Sequence, residues 1–220
     1  MSPSAEPAPL DRQARRRERT RARLVEAARA VFARQGVDAT RINDITEEAD
    51  VGFGSFYNYF ESKDAIVVAV VEQAAQEAAE ANDRATLGLD DPAEVVAVAH
   101  RSLIQAAIDD PSFGWLLVRL EISHDIVSTT LGPYAARDLD RGIKAGRFDV
   151  DDRAAALIAA GGALLGVVRA VLQGHADDRT AQHHAAAVLR IFGLTPQEAA
   201  EVAARPLPRM TAPPVHTDRR

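Results

Sequence analysis

Five of the chain's eleven aromatic side chains (seven Phe, three Tyr and one Trp in all) fall in the short stretch from Phe53 to Phe60. A core that needed only bulk would spread its aromatic residues along the chain. A tyrosine hydroxyl can donate a hydrogen bond to a phosphate, and an aromatic ring can pack on the methyl group of a thymine. The residue types in this run therefore suit contacts with nucleic acid.

A basic segment lies directly before the aromatic run. Between Leu10 and Arg41, ten arginines stand against four acidic residues, so this segment carries +6 whereas the whole chain carries −6. The rest of the chain is therefore at −12. A solvated tail is the simpler alternative. Because arginine neutralises phosphates, the place of this segment beside the aromatic run favours a phosphate-binding arm.

Two short helices joined by a tight turn would position these side chains. Residues 41–49 have the apolar spacing of a helix, Thr40 is placed to cap that helix, and Val51 fills the turn. Gly52 can cap the second helix, which begins at Phe53. This order is the helix-turn-helix plan, in which the second helix enters the major groove of DNA.

The second helix has an inward face and an outward face. Phe56 and Phe60 are four residues apart, so they share one face and can pack against the first helix. Phe53 and Tyr59 lie elsewhere around the axis and can point outward. Gly54 costs about 1 kcal/mol of helix stability relative to Ala. In exchange, it lets the backbone approach a phosphate or a base edge closely.

Residues 40–45 (TRINDI) and 49–65 (ADVGFGSFYNYFESKDA) resemble the DNA-binding head of the tetracycline-repressor (TetR/AcrR) family of transcription regulators. The resemblance covers roughly a quarter of the chain. It departs from the family pattern at three positions. Asp50 stands where Gly is usual, Gly52 where a capping Ser is common, and Tyr59 where His is frequent. These departures leave open the geometry of the turn and some phosphate contacts.

The resemblance and the helix faces together predict the DNA contacts. Family members contact DNA at the positions of Thr40, Arg41, Ser55, Tyr57, Tyr59 and Lys63. The full predicted set is Thr40, Arg41, Gly52, Phe53, Gly54, Ser55, Tyr57, Asn58, Tyr59 and Lys63. Within it, Phe53, Ser55 and Asn58 are the candidates for base contacts. A purely internal aromatic residue is the alternative interpretation of Tyr57.

The chain shows no residue pattern for catalysis or for a bound metal. It contains no cysteine, which excludes disulfides, thiolate metal sites and cysteine nucleophiles. Glu121 and His124 have the Glu-x-x-His spacing of di-iron helical bundles, but no second copy accompanies them. We therefore expect no enzyme activity, no metal and no cofactor.

Apolar periodicity predicts an all-α protein of two domains. The N-terminal domain is a three-helix helix-turn-helix domain, and the resemblance assigns ligand binding and dimerisation to the C-terminal helical domain. We expect a disordered basic arm at 1–17, the DNA-binding domain at 18–78 (helix-turn-helix about 41–60), the second domain at 79–205 and a disordered tail at 206–220. Helices are expected at about 20–35, 41–49, 53–60, 62–85, 93–108, 112–124, 128–145, 152–174 and 179–192, with a short last helix from Thr195.

The helix predicted at 152–174 is apolar nearly all round, so it must be covered on every side. Its uncharged run, Ala154 to Val168, is shorter than the roughly 20 residues that span a membrane, so we expect a buried helix of a soluble protein. It is either the central core helix of a monomer or a helix shared with a second subunit. The resemblance favours dimerisation through the last two long helices. The predicted interface is Leu157, Gly161, Leu164, Leu165, Val168, Leu172, Val188 and Ile191.

Proteins of this family sense small molecules in their C-terminal domain, so the resemblance implies a ligand pocket. The candidate lining residues are Phe113, Trp115, Leu116, Arg119, Leu120, Ser123, His124, Tyr134 and Arg169. Ordinary core packing is the alternative for each of them. Arg119 and Arg169 stand among apolar neighbours, so we expect a small ligand that is apolar or acidic.

Together these features favour a cytoplasmic, homodimeric DNA-binding regulator without a membrane partner, more specifically a repressor. We expect a small ligand to release it from a palindromic operator in double-stranded DNA. The N-terminus has no continuous apolar segment, so no signal peptide is expected. Two alternatives remain: a helical-bundle enzyme built around Glu121 and His124, and a partner-binding adaptor without an operator.

Overall fold

The computed structural model describes residues 9–118, 127–177 and 179–208. Every regular element in these ranges is helical, which confirms the all-α prediction. The chain divides into two compact units, Met1–Val70 and Val71–Arg220. The division therefore falls within a helix at Val70, somewhat before the boundary predicted at residue 78.

The N-terminal unit contains three helices and the start of a fourth. They are α1 (Pro9–Gln35), α2 (Ile42–Glu48), α3 (Phe53–Phe56) and α4 (Lys63–Ala85). Their interior is apolar, with Leu24, Val31, Phe32, Ile45 and Phe56 almost fully buried. Burial of each such side chain contributes about 1.5–3 kcal/mol, which is enough to hold the short helices α2 and α3 against α1.

Helix α1 begins much earlier than expected. It starts at Pro9, so the prediction of a disordered arm over 1–17 is wrong for its second half. Residues 9–17 contain four Arg with one Ala and one Gln, all good helix formers, and proline is tolerated in the first turn of a helix. The first eight residues lie outside the described part of the chain. Gly36, at φ +78°, follows the last residue of α1, so the helix ends where the range predicted at 20–35 places its end.

The start of α2 is fixed differently from the prediction. The Thr40 hydroxyl does not cap α2; it donates to the Gly36 carbonyl oxygen at 2.6 Å. Arg41 is the residue before α2, and its backbone N–H donates to Asp44 Oδ2 at 2.8 Å. That hydrogen bond, with a second one from the Gln35 amide, holds the pKa of Asp44 below its ordinary value. The predicted Thr40 cap is therefore wrong.

The C-terminal unit is a helical bundle around α5 (Pro92–Asp109). The other helices are α6 (Pro111–Leu117), α7 (Gly132–Lys144), α8 (Arg153–Leu172), α9 (Thr180–Ile191) and α10 (Pro196–Ala203). Helix α5 contacts all five of them, most extensively α9. A π-helical turn, Val127–Leu131, leads into α7, so the helical path predicted at 128–145 continues through Gly132 and Pro133. The helix predicted at 112–124 is described only as far as Leu117, with residues 119–126 outside the described ranges.

Helix α8 is covered on only part of its surface by the rest of its own chain. It is long and apolar enough to cross a membrane, yet only 22% of that apolar window is buried within the subunit. Ala156, Ala160, Leu164 and Val168 form its inward stripe. Ile158, by contrast, is 75% exposed. Of the two alternatives for this helix, the central core helix of a monomer is therefore wrong, and an apolar face of α8 stays open.

Candidate nucleic-acid interface

Helix α3 presents aromatic residues in two opposite directions. Phe56 and Phe60 point inward, at 0% and 5% exposure, as their spacing predicts. Phe53 and Tyr57 are 50% and 52% exposed, and their rings meet edge to face at 5.7 Å between centroids. Tyr57 also packs edge to face on the buried Phe56 at 5.5 Å. The outer pair is therefore accessible to a partner but anchored to the core, and Tyr57 is not a purely internal residue.

The second helix of the motif is shorter than predicted. Helix α3 ends at Phe56, and the chain continues as a tighter turn, with the Tyr59 N–H donating to the Phe56 carbonyl at 2.9 Å. Helical hydrogen bonding resumes only from the Phe60 N–H to the same carbonyl, at 3.0 Å. This keeps both phenylalanines inside although a regular helix to Phe60 does not form. A Cβ added at Gly54 would meet nothing within 4 Å, so the outer side of α3 is open.

The turn between α2 and α3 explains one departure from the family pattern. Asp50 has φ +51°, a left-handed conformation that glycine adopts freely and that Asp tolerates better than most residues. The Arg23 guanidinium holds this turn by donating to the carbonyl oxygens of Ala49 and, at 3.3 Å, of Asp50. It also lies 3.7 Å from the Asp50 carboxylate. Arginine hydrogen bonds thus support a turn in which glycine is usual.

The arginine-rich end of α1 contacts the aromatic segment directly. Arg17 donates to the Asn58 carbonyl oxygen at 3.3 Å and lies 5.9 Å from the centre of the Tyr59 ring. Arg21 lies 5.3 Å from the centre of the Phe60 ring. These cation–π contacts place positive charge beside α3. The predicted basic arm is therefore a helix that forms part of the same surface.

The structure sorts the predicted DNA contacts by accessibility. Arg41, Gly52, Phe53, Gly54, Tyr57 and Asn58 are exposed, and Ser55, Tyr59 and Lys63 are half-buried. Thr40 is only 2% exposed. Lys63 donates its ammonium to the carbonyl oxygens of Val37 and Thr40, at 3.0 and 3.1 Å. Direct contacts by Thr40 and Lys63 stay predictions, but both side chains already brace the loop between α1 and α2.

Three arginines of this surface escaped the sequence-based prediction. Arg17 and Arg21 are four residues apart, and four-residue spacing places side chains on one face of a helix. That signal was available, but it is meaningful only if the segment is helical. Arg23 gave no signal, because its role depends on the fold of the turn at Asp50.

The predicted dimer interface is only partly accessible. Leu164, Val168 and Val188 are at most 6% exposed, so the prediction is wrong for these three. Leu157, Gly161, Leu165 and Leu172 are half-buried, and Ile191 is 37% exposed. The open side of α8 consists instead of Ala155, Ile158, Ala159, Gly162, Ala163 and Gly166. The subunit keeps its large apolar residues for its own core and exposes mostly small ones.

The described residues do not bring the predicted ligand-pocket set together. Arg119, Leu120, Ser123 and His124 lie outside the described ranges. Leu116 is buried, Phe113 is half-buried, and Trp115 is 46% exposed. Arg169 donates to the Val118 carbonyl oxygen at 2.6 Å. Tyr134 is half-buried on α7, where its hydroxyl oxygen accepts a hydrogen bond from Gln76 at 2.7 Å.

Two family models match the chain, one for each unit. Residues 24–70 match the model of bacterial regulatory proteins of the tetR family. Residues 91–205 match the model of the tetracyclin repressor-like C-terminal domain. The second match alone covers more than half of the chain.

Curated relatives match over about a quarter of the chain. The HTH-type transcriptional repressor DhaR of Mycobacterium sp. (strain GP1) is 43% identical over 53 residues, which are 24% of this chain and 27% of that protein. The HTH-type transcriptional regulator YvdT of Bacillus subtilis (strain 168) is 38% identical over 50 residues, 23% of this chain and 26% of that protein. The matched segment thus spans about a quarter of either relative's length.

Solved structures match over most of the chain. The crystal structure of RolR in complex with resorcinol is 38% identical, covers 90% of this chain and 100% of that one, and has a TM-score of 0.81. The crystal structure of RolR without ligand is 37% identical, covers 86% of this chain and 100% of that one, and has a TM-score of 0.79. FadR from Bacillus subtilis, in complex with stearoyl-CoA, is 19% identical with a TM-score of 0.61 and covers 78% of this chain and 96% of that one. At that identity, the likeness to FadR shows a shared fold alone.

Proposed function

The chain belongs to the TetR family of bacterial transcription regulators, and from this premise we propose that it is a sequence-specific repressor controlled by a small ligand. One observation carries the proposal. The outer side of α3 holds Phe53 and Tyr57 half-exposed, next to an arginine-rich helix that contacts the same segment. This surface offers rings for base edges and positive charge for phosphates.

The two kinds of contact have separate roles on the duplex. The arginines of α1 and the hydroxyls of Tyr57 and Tyr59 bind phosphates, which fixes the position of the head but carries no sequence information. Phe53, Ser55 and Asn58 face the base edges of the major groove and select the sequence. Thr40 and Lys63 act through the loop that they brace.

A second copy of the chain covers the open face of α8 and makes the regulator a homodimer. Gly162 and Gly166 have open space where a Cβ would stand, so another helix can approach closely. Two heads related by a two-fold axis read two half-sites of a palindrome, about 34 Å apart in successive major grooves. The α8 face, apolar over its length, is then an interface rather than a membrane span, in a cytoplasmic protein that is not an enzyme.

Ligand binding to the C-terminal unit lowers operator affinity by a shift of population. A ligand does so only if it binds the form with low operator affinity more tightly. The 38% identical relative RolR was solved with resorcinol, a small neutral aromatic, which supports a ligand of similar size here. The acidic alternative loses support because Arg169 already donates to a backbone carbonyl.

Selection of bound fragments from random duplex DNA by the full-length protein tests the proposal. We expect enrichment of a palindrome with half-sites about 10 base pairs apart. We also expect the affinity to fall steeply with salt, because each neutralised phosphate releases counterions. Failure to enrich any sequence, together with no salt-sensitive duplex binding, would favour the partner-binding adaptor instead.

A further inference from the structure

The buried face of α4 turns polar towards the end of the helix. Val71, Ala75 and Ala79 recur at intervals of four and are buried, and Asn82 follows on the same face at 7% exposure. Asn82 Oδ1 is buried, and within the described part of the chain it accepts no hydrogen bond. A buried acceptor without a donor is rare and costly in folded proteins, so Asn82 Oδ1 is a candidate for a partner that the described ranges do not supply.

Thr86, the nearby buried threonine of the same segment, does not need a further hydrogen-bond partner. Thr86 is also 7% exposed, but its hydroxyl donates to the backbone carbonyl of Asn82 at 2.8 Å. The hydroxyl is therefore satisfied within its own helix. Of these two polar residues on α4, only Asn82 presents an unused acceptor.

Side chains of α7 meet α4 next to Asn82. The Arg137 guanidinium donates to both carboxylate oxygens of Asp83, at 2.6 and 2.7 Å, and to Asp138 Oδ1 at 2.9 and 3.0 Å. Asp138 is only 7% exposed, and burial raises the pKa of its carboxyl. One positive charge therefore serves two carboxyl groups. No positive charge in this group of three is left over to attract an acid.

Tyr134, one turn before Arg137, supplies a donor. Its hydroxyl oxygen accepts a hydrogen bond from Gln76 Nε2 at 2.7 Å, which leaves the hydroxyl proton free for another acceptor. Arg137 lies 5.3 Å from the centre of the Tyr134 ring and steadies it. The donor on α7 and the acceptor on α4 therefore lie on two helices that contact each other through Gln76 and Asp83.

We propose that Asn82, Tyr134 and Asp138, the α4–α7 polar cluster, bind the hydroxyl groups of a small, neutral, hydroxylated aromatic ligand. A ligand hydroxyl donates to Asn82 Oδ1, and a ligand oxygen accepts from the Tyr134 hydroxyl. The small side chains of Ala75 and Ala79 lie on the same face of α4 as Asn82. The inference rests on the proposed function, in which a small ligand lowers operator affinity, and it names the binding site and the chemical class of that ligand.

Calorimetric titration of the full-length protein with five probes tests the ligand class. Resorcinol, catechol and hydroquinone carry two hydroxyls; 1,3-dimethoxybenzene has the ring without O–H donors, and benzoate is an acid. We expect at least one dihydroxybenzene to bind at least about 10-fold more tightly than the last two, because a site built for a donor rejects analogues that lack it. Equal binding of 1,3-dimethoxybenzene, a preference for benzoate, or no binding by any dihydroxybenzene would overturn the proposal.

Two variants test the location. Asn82→Leu removes the unused acceptor, so ligand affinity should fall at least about 10-fold while the thermal midpoint stays or rises. Tyr134→Phe removes one hydroxyl and should also weaken the ligand, whereas Gln105→Leu, at an exposed site on α5, should not. Unchanged affinity in both cluster variants would overturn the location. Operator binding without ligand, measured in parallel, should persist in every variant, so loss of the ligand site and failure of the repressor function are distinguishable.

Discussion

Helices α3 and α8 both expose apolar residues, but with opposite side-chain sizes. Helix α3 exposes the large rings of Phe53 and Tyr57. Along its apolar stretch, helix α8 exposes glycines and alanines, with Ile158 as its one large exposed apolar residue. The base edges that distinguish one DNA sequence from another lie at the floor of the major groove, so contacts with them need long side chains. Close packing of two helices needs short side chains. On the proposed roles, the size of the exposed apolar side chains therefore matches the kind of partner, large for a DNA groove and small for another helix.

The two units also use their polar residues differently. In the head, Arg23, Lys63 and Thr40 hydrogen-bond to backbone carbonyls and so fix the loops around α3. In the C-terminal unit, buried and half-buried polar groups face one another, as in the 3.0 Å hydrogen bond between half-buried His100 and buried His184. The head is thus built to hold an outer surface still. The C-terminal unit places polar groups in its interior, where they can hydrogen-bond to a ligand or take up a proton.

The largest effect is expected from a charge on the α8 face. Ile158→Glu places a carboxylate in the proposed interface, so the dimer should dissociate into monomers. Operator affinity should then fall by at least about 100-fold, because the two half-sites no longer act together. Sedimentation and a binding titration measure both effects. Ile108→Glu, at an isoleucine of α5 that is 45% exposed, is the matched control and should leave the dimer intact. A dimeric Ile158→Glu protein would assign the small-residue face another role.

The next effect separates base contacts from phosphate contacts on α3. Phe53→Ala should cost about 1–3 kcal/mol on the selected operator but little on scrambled duplex, since only a base contact carries sequence information. Tyr59→Phe should weaken both duplexes alike. Leu87→Ala removes an apolar side chain that is 79% exposed in the C-terminal unit and should change neither. Binding titrations on the operator and the scrambled duplex measure these effects. If Phe53→Ala weakened both duplexes alike and Tyr59→Phe weakened only the operator, the assigned base and phosphate contacts would be rejected.

Acid should destabilise the C-terminal unit before the head. Burial lowers the pKa of His100 to about 3 and of His184 to about 4, below the ordinary 6.5. The unfolded chain therefore takes up protons that the folded unit does not, so stability falls as the pH drops below 6.5. The slope is about 1.4 kcal/mol per pH unit for each proton. Urea unfolding between pH 7.5 and 4.5, followed by the fluorescence of Trp115, the only tryptophan, measures it.

The control for this pH effect lies in the sequence itself. No histidine precedes residue 100, so unfolding of the head should not respond in the same window. Replacement of both His100 and His184 by Gln should flatten the slope, whereas His175→Gln, at an exposed site, should not. An unchanged slope in the double variant would show that other groups take up the protons.

The smallest effect is expected at the turn before α3. Asp50→Gly relieves a left-handed backbone conformation and should raise the free energy of unfolding of the head by up to about 1 kcal/mol. The ion pair that it removes is long and fully exposed on the Asp50 side, so its loss costs little. Asp50→Asn keeps the tolerance for that conformation and should be neutral. The thermal midpoints of the original protein, Asp50→Gly and Asp50→Asn are compared. A lower midpoint for Asp50→Gly would contradict the proposal that the Asp50 backbone is strained.

Sequence alone predicted the helix-turn-helix and the inward pair of rings because both depend on local spacing. Phe56 and Phe60 were placed correctly even though α3 ends at Phe56. The helical course of α1 from Pro9 was missed, since arginine clusters suggest disorder when their neighbours are unknown. With that helix missed, the contacts of Arg17 and Arg21 could not be found either.

The sites of the C-terminal unit were harder to predict because periodicity does not tell which side of an apolar helix faces the core. Leu164 and Val168 looked suitable for an interface because they are large and apolar, and the subunit uses them for itself. Asn82 gave no signal at all, since its importance lies in a missing donor that only three-dimensional packing reveals. Tyr134 was in the predicted pocket set, but its partner Gln76 is far away in sequence.

Methylation interference on the selected operator tests most directly whether α3 lies in the major groove. Dimethyl sulfate methylates guanine N7 in the major groove and adenine N3 in the minor groove, so one reaction reports on both. We predict that N7 methylation blocks binding at two clusters about 10 base pairs apart. Adenine N3 methylation inside those clusters should have little effect. Interference confined to adenine N3, or none at either position, would contradict the account.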